Sequence, residues 1–205
     1  MLRKTVSGIL AGIVICIGGS VFLSVDNKIA GAVLFSVALL SICIKGYSLF
    51  TGKVGFIPEK HGKEEFSVLF CGLLGNFIAT VLGGLLIRFA ISSIGENAEI
   101  MCKNKLTQTS LSTFIRALFC GILMYLAVSI FKENNRIVGI LFCIPVFILS
   151  GFEHSIADMF YFAVAGKFTL SALAFIIIVI LGNSVGGMLL PALQLFVKNN
   201  PKKEN

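Results

Sequence analysis

Three ionisable residues stand within six positions of each other in an otherwise apolar stretch, Glu153, His154 and Asp158 in GFEHSIADM. An imidazole titrates near neutral pH, so it can donate a hydrogen bond to an anion or carry a proton to it. Asp158 lies four residues beyond His154 and shares its face if the segment is helical, where a carboxylate would raise the histidine's proton affinity. Glu153 adjoins it as a second tuning candidate. The bland alternative is a structural histidine bonded to a backbone carbonyl. His154 and Asp158 also have the spacing of two metal ligands, but two without a third make no site, and no metal is expected. Thr51 ends another apolar stretch, where its hydroxyl either faces a polar centre or satisfies a local carbonyl. Lys45, just before Gly46, adds positive potential to a pathway or snorkels to an interface. Lys105 stands where a positive charge would concentrate anions at a mouth, or only face lipid headgroups. No nucleophile–base set and no phosphate-cradling glycine loop accompanies these residues, so neither an enzyme nor a cofactor is expected.

The elements that hold them are membrane helices. Of 205 residues 57% are hydrophobic and 13% charged, and the mean hydropathy of +0.97 exceeds what one soluble core can hide. A spanning helix needs roughly 20 apolar residues, and such runs lie near 5–25, 29–50, 66–94, 107–131, 137–165 and 168–197, which predicts six spans. The first, behind Arg3 and Lys4, reads as a helix, because five further spans follow it. Basic residues favour cytoplasmic loops. With the N-terminus inside, ten fall inside, from Arg3 and Lys4 through Lys53, Lys60 and Lys63 to Lys202 and Lys203, and four outside, Lys28, Lys103, Lys105 and Lys167. Both termini are therefore expected in the cytoplasm, at the plasma membrane. The net charge of +7 is accordingly a topology signal and a preference for anionic headgroups, with no basic–aromatic interleaving that would suit nucleic acid. The six cysteines contain no CxxC and imply no disulfide framework.

The chain is read as a single transmembrane domain, 1–205, that repeats itself, with halves near 1–100 and 106–200. The second span of the first half runs into Gly46 and then Leu49, Phe50, Thr51 and Gly52, while that of the second half is interrupted at Gly151 before Phe152, Glu153 and His154. The third spans each open with Gly-Asn, at Gly75 and Gly182, and continue to a glycine pair. The offsets are 103 from Leu49 to Phe152 and 107 from Gly75 to Gly182. Three spans per half invert the second half relative to the first, so the two interruptions, in helices 2 and 5, should meet near the bilayer midplane. Non-helical backbone at that depth must be buried in protein or line a cavity. Glycines 8, 12, 18, 19, 83, 84, 186 and 187 are read as close-packing positions.

Three motifs carry a resemblance: GYSLFTG at 46–52, GFEHSIADM at 151–159 and GNSVGG at 182–187. With them the chain resembles the formate/nitrite transporter family over nearly its whole length. That resemblance implies a homopentamer of aquaporin-like, all-α protomers in the lipid bilayer, each passing small monovalent anions or their conjugate acids of the formate, nitrite or hydrosulfide type. It implies that His154 is the central pore histidine, Thr51 the threonine of broken helix 2, Asn183 an asparagine near the histidine, and Lys105 the vestibule lysine. It places Phe35, Leu39, Leu49 and Phe50 at a cytoplasmic-side constriction and loop, and Phe147 at another apolar constriction. The chain departs from the family pattern at Ser48, Asp158 and Gly121–Ile122, where Glu, Asn and Asn-Trp are usual. A pore for neutral solutes is the competing expectation, and a membrane-embedded enzyme or structural subunit a third.

Overall fold

A computed structural model describes residues 1–200, so Lys202 and Lys203 of the basic tail lie outside the described residues. In chain order the helices are α1 (Leu2–Ser24), α2 (Lys28–Lys45), α3 (Phe50–Lys53, continued by a 3-10 turn, Val54–Phe56), α4 (Lys63–Ala90), α5 (Ser92–Leu106), α6 (Ser110–Asn134), α7 (Val138–Leu149), α8 (Ser155–Val164) and α9 (Leu170–Asn199). Five of them, α1, α2, α4, α6 and α9, are long and apolar enough to cross a membrane. At about 1.5 Å per residue, α7 and α8 each reach roughly half of a ~30 Å hydrocarbon core. Phe89, Leu86 and Leu170 stand more than half exposed on the outer faces of the long helices, where lipid is the suitable solvent.

The expected third span differs at its end. The apolar run predicts a span to 94, but α4 stops at Ala90 and the chain turns at Ile91 into α5, a helix too polar to count as a span. Hydropathy remains high across the turn, and hydropathy does not register a change of direction.

Two helices end by the same device. Gly46 and Gly151 both have φ of +70°, a left-handed conformation that glycine adopts without a Cβ penalty. The amide of the next residue bonds back across the last turn, Tyr47 to the Ile42 carbonyl and Phe152 to the Phe147 carbonyl, each at 3.0 Å. This six-to-one closure ends a helix and sends the chain off its axis. Each break is followed by a short helix, α3 in one case and α8 in the other. α8 sits at the centre of the protein, with every residue from Ser155 to Val164 buried.

α1 packs against α4 and α6 against α9 through the widest contacts in the protein. Glycine makes both approaches close. A Cβ on Gly75 would stand 2.2 Å from the Thr5 carbonyl oxygen, and one on Gly186 only 1.9 Å from that of Leu118. The long helices that bear Asn76 and Asn183 are thereby held tightly against their neighbours.

Candidate pore site

Each interruption frees backbone groups that water cannot reach, and one asparagine meets them. At the first, Asn76 of α4 accepts from the Phe50 amide at 2.9 Å and donates to the carbonyls of Ser48 at 3.0 Å and Gly8 at 2.8 Å. At the second, Asn183 of α9 accepts from the Ser155 amide and donates to the carbonyls of Glu153 and Ala117, all at 2.8 Å. Each amide side chain thus ties the carbonyl two residues before the short helix, the amide of the first residue of that helix, and a carbonyl of the packed long helix. Unmet groups at such depth would each cost about 1–3 kcal/mol. Asn183, expected near His154, is fixed here by three backbone groups and has no hydrogen bond to the imidazole.

The two short helices bring Thr51 and His154 together, with Thr51 Oγ1 2.8 Å from His154 Nε2. His154 caps α8, where its Nδ1 accepts from the Ala157 amide at 3.1 Å. An amide only donates, so Nδ1 carries no proton, Nε2 holds it, and the imidazole donates to the threonine hydroxyl. The Phe147 ring lies over the imidazole at 5.6 Å between centroids, tilted by 19°, and Phe35 meets Phe147 edge-on at 6.5 Å.

A chamber opens on either side of this cluster. The wide one, about 450 Å³, is lined by Phe147, Glu153, His154 and Asp158 with Lys105 and Arg116. The narrow one, about 90 Å³, is lined by Leu39, Leu49, Gly52 and Val128 with Lys53 and Lys132. Phe35, grouped with Leu39, Leu49 and Phe50 by resemblance, instead packs with Phe147 beside the histidine. Phe50 is buried yet lines neither chamber, its amide being the group Asn76 holds.

The charged candidates settle differently from expectation. Lys105 is not a free cation at a mouth: its ammonium bonds both the Glu153 carboxylate and, at 3.0 Å, that of Asp158. Burial disfavours the Lys105 charge, but Asp158, when ionised, and Glu153 outweigh it and hold the lysine above its ordinary pKa. Glu153 also accepts from Gln108 Nε2 at 2.7 Å. Neither acid bonds the imidazole, because α5 brings a stronger partner to the same place. Lys45 is exposed at the end of α2 and lines neither chamber. The cations of the narrow chamber are Lys53 and Lys132, which sequence reasoning had counted only as loop lysines. Asn76 and Arg116 were also missed, although the Gly-Asn pair shared by the two halves was a usable signal for Asn76.

The chain is similar to the nitrite transporter NirC of Salmonella typhimurium, 28% identical over 202 residues that cover 88% of this chain and 74% of NirC. Its fold matches an FNT family ion channel with a TM-score of 0.83 at 25% identity, over 96% of this chain and 90% of that one. It also matches a pentameric formate channel with formate bound, with a TM-score of 0.77 at 26% identity, over 98% of each chain. Residues 1–197 match the family described as Formate/nitrite transporter, and the chain belongs to that family.

Proposed function

We propose that this protein passes small monovalent anions or their conjugate acids, of the formate, nitrite or hydrosulfide type, between its two chambers at the Thr51–His154 pair. The supporting observation is that His154 lines the charged wide chamber while Gly52, next to its partner Thr51, lines the basic narrow one, amid apolar side chains. Phe35, Phe147, Leu39 and Leu49 oppose a bare ion, since stripping water from a charge in such surroundings costs several kcal/mol. With the Nε2 proton given to Thr51, the threonine hydroxyl proton is the group offered to a solute at the narrowest point.

In this reading α2 with α3, and α7 with α8, are two broken spans, and the six spans form inverted repeats, 1–100 and 106–200, within one domain, 1–205. The shared glycine terminations and paired asparagines support it. Five copies assemble in the plasma membrane with both termini cytoplasmic, a reading that the pentameric formate channel and the distribution of Lys and Arg support. Lys53 and Lys132 then face the cytoplasm and Lys105 the outside. The test is stopped-flow uptake of formate, nitrite, hydrosulfide and lactate by proteoliposomes. The proposal expects rapid uptake of the small monovalent species, and uptake of none of them contradicts it.

A further inference from the structure

Beside the wide chamber stands a buried carboxyl whose second oxygen no protein group bonds. Asp158 is 1% exposed, its Oδ1 lies 3.0 Å from Lys105 Nζ, and its Oδ2 has no hydrogen-bond partner. The residue lines the chamber. Its one cationic contact is shared: Lys105 also holds Glu153, whose other oxygen accepts from Gln108. One ammonium therefore serves two buried carboxyls, of which Glu153 is fully bonded and Asp158 half bonded.

The other groups around Asp158 do not supply the missing charge. Cys102 faces it from α5, Cys120 from α6 and Tyr161 from α8 itself, all neutral groups. Arg116 of α6 lines the same chamber, but it bonds the Gly151 carbonyl at 3.0 Å and the Ser112 hydroxyl at 3.3 Å and forms no ion pair with Asp158. His154 is bonded at both ring nitrogens, to Thr51 and to the Ala157 amide. An ionised Asp158 would leave that oxygen with no donor from the protein and repel an incoming anion, whereas a protonated one carries an O–H donor.

We propose that Asp158 is the proton donor of the wide chamber: it protonates a weak-acid anion there, and the solute crosses the apolar barrier as the neutral acid. This rests on the proposed function and adds the coupling to it. In the step the Oδ2–H bond breaks as the O–H or S–H bond of the solute forms, and the electron pair of the broken bond stays on Asp158. The resulting carboxylate is met by Lys105, and water in the chamber returns the proton. One proton moves with each anion and no net charge crosses. The histidine then orients the passing acid through Thr51 and supplies no proton.

The test uses the full chain in proteoliposomes with an internal pH dye, following formate uptake from acidic to neutral pH. Free formic acid falls by roughly tenfold per pH unit over this range. With Asp158 as donor, wild-type uptake stays level above the pKa of formic acid until Asp158 itself ionises, with one proton entering per formate. Asp158→Asn, which keeps an oxygen toward Lys105, removes the plateau: its uptake follows free formic acid and at neutral pH is lower by about tenfold or more. Asp158→Glu restores a plateau. Asp158→Ser serves by the same criteria if the asparagine variant fails to assemble. Wild-type uptake that itself tracks free formic acid, a variant with the wild-type profile, or a formate current across a planar bilayer would each overturn the proposal while leaving formate passage intact. Absence of formate and nitrite uptake at every pH would instead refute the function on which it rests.

Discussion

The break after α2 and the break after α7 share a backbone plan and differ in their side chains. Both open with a glycine at φ +70° and a back-bonded amide, and both are tied by an asparagine from a long helix. At one, however, the chain presents Thr51 and leads to a narrow chamber with two lysines and no carboxylate in its lining; at the other it presents His154 and leads to a wide chamber with two carboxylates, a lysine and an arginine. Scaffolding is duplicated while chemistry is not. Backbone groups at a buried helix end must be satisfied, which accounts for the asparagines, while the side chains facing the chambers are left free to diverge.

The comparison is broken most severely at the asparagines. Asn76→Leu or Asn183→Leu strands three buried backbone groups at about 1–3 kcal/mol each, a large fraction of the stability of an ordinary domain. Both variants should lose most of the assembled protein in detergent, as read by fluorescence-detected gel filtration and thermal unfolding. If one is tolerated and the other not, the two breaks are not equivalent. Next come the close approaches. Gly75→Ala and Gly186→Ala put a methyl within 2.2 and 1.9 Å of a carbonyl oxygen, and each should lower stability by about 1–3 kcal/mol, seen as matched drops in unfolding temperature. The smallest effect is expected at the narrow chamber. Lys132 is exposed and its ammonium lies 3.3 Å from the centre of the Phe56 ring. Lys132→Ala should cost less than about 1 kcal/mol of stability and change formate uptake only a few-fold, with the change fading at high salt.

The two glycine terminations were legible in the sequence because each is local: a glycine at the end of an apolar run, followed by polar residues. Thr51 and His154 were identified the same way, and the structure puts them 2.8 Å apart. What the sequence did not carry were partners set by packing. Lys105 read as a mouth cation because its acids stand 48 and 53 positions later, and only the turn at Ile91 that launches α5 brings them together. The contact of Phe35 with Phe147 was not legible for a similar reason, since a helix position does not declare which ring it meets. Asn76 entered only through the Gly-Asn pair that the third spans share, because an amide side chain that satisfies backbone has no local signature of its own.

The central claim is that solute passes where Thr51 and His154 meet. A double-mutant cycle on formate uptake tests it most directly, with Thr51→Val, His154→Phe and both together in proteoliposomes. Phe retains a ring over Phe147, and Val retains the shape of the threonine. Each single variant should slow uptake by about tenfold, and the double variant by little more than either, because each change removes the same hydrogen-bonded pair. Wild-type uptake rates in all three would contradict the claim, and strictly multiplicative losses would show that the two residues act apart.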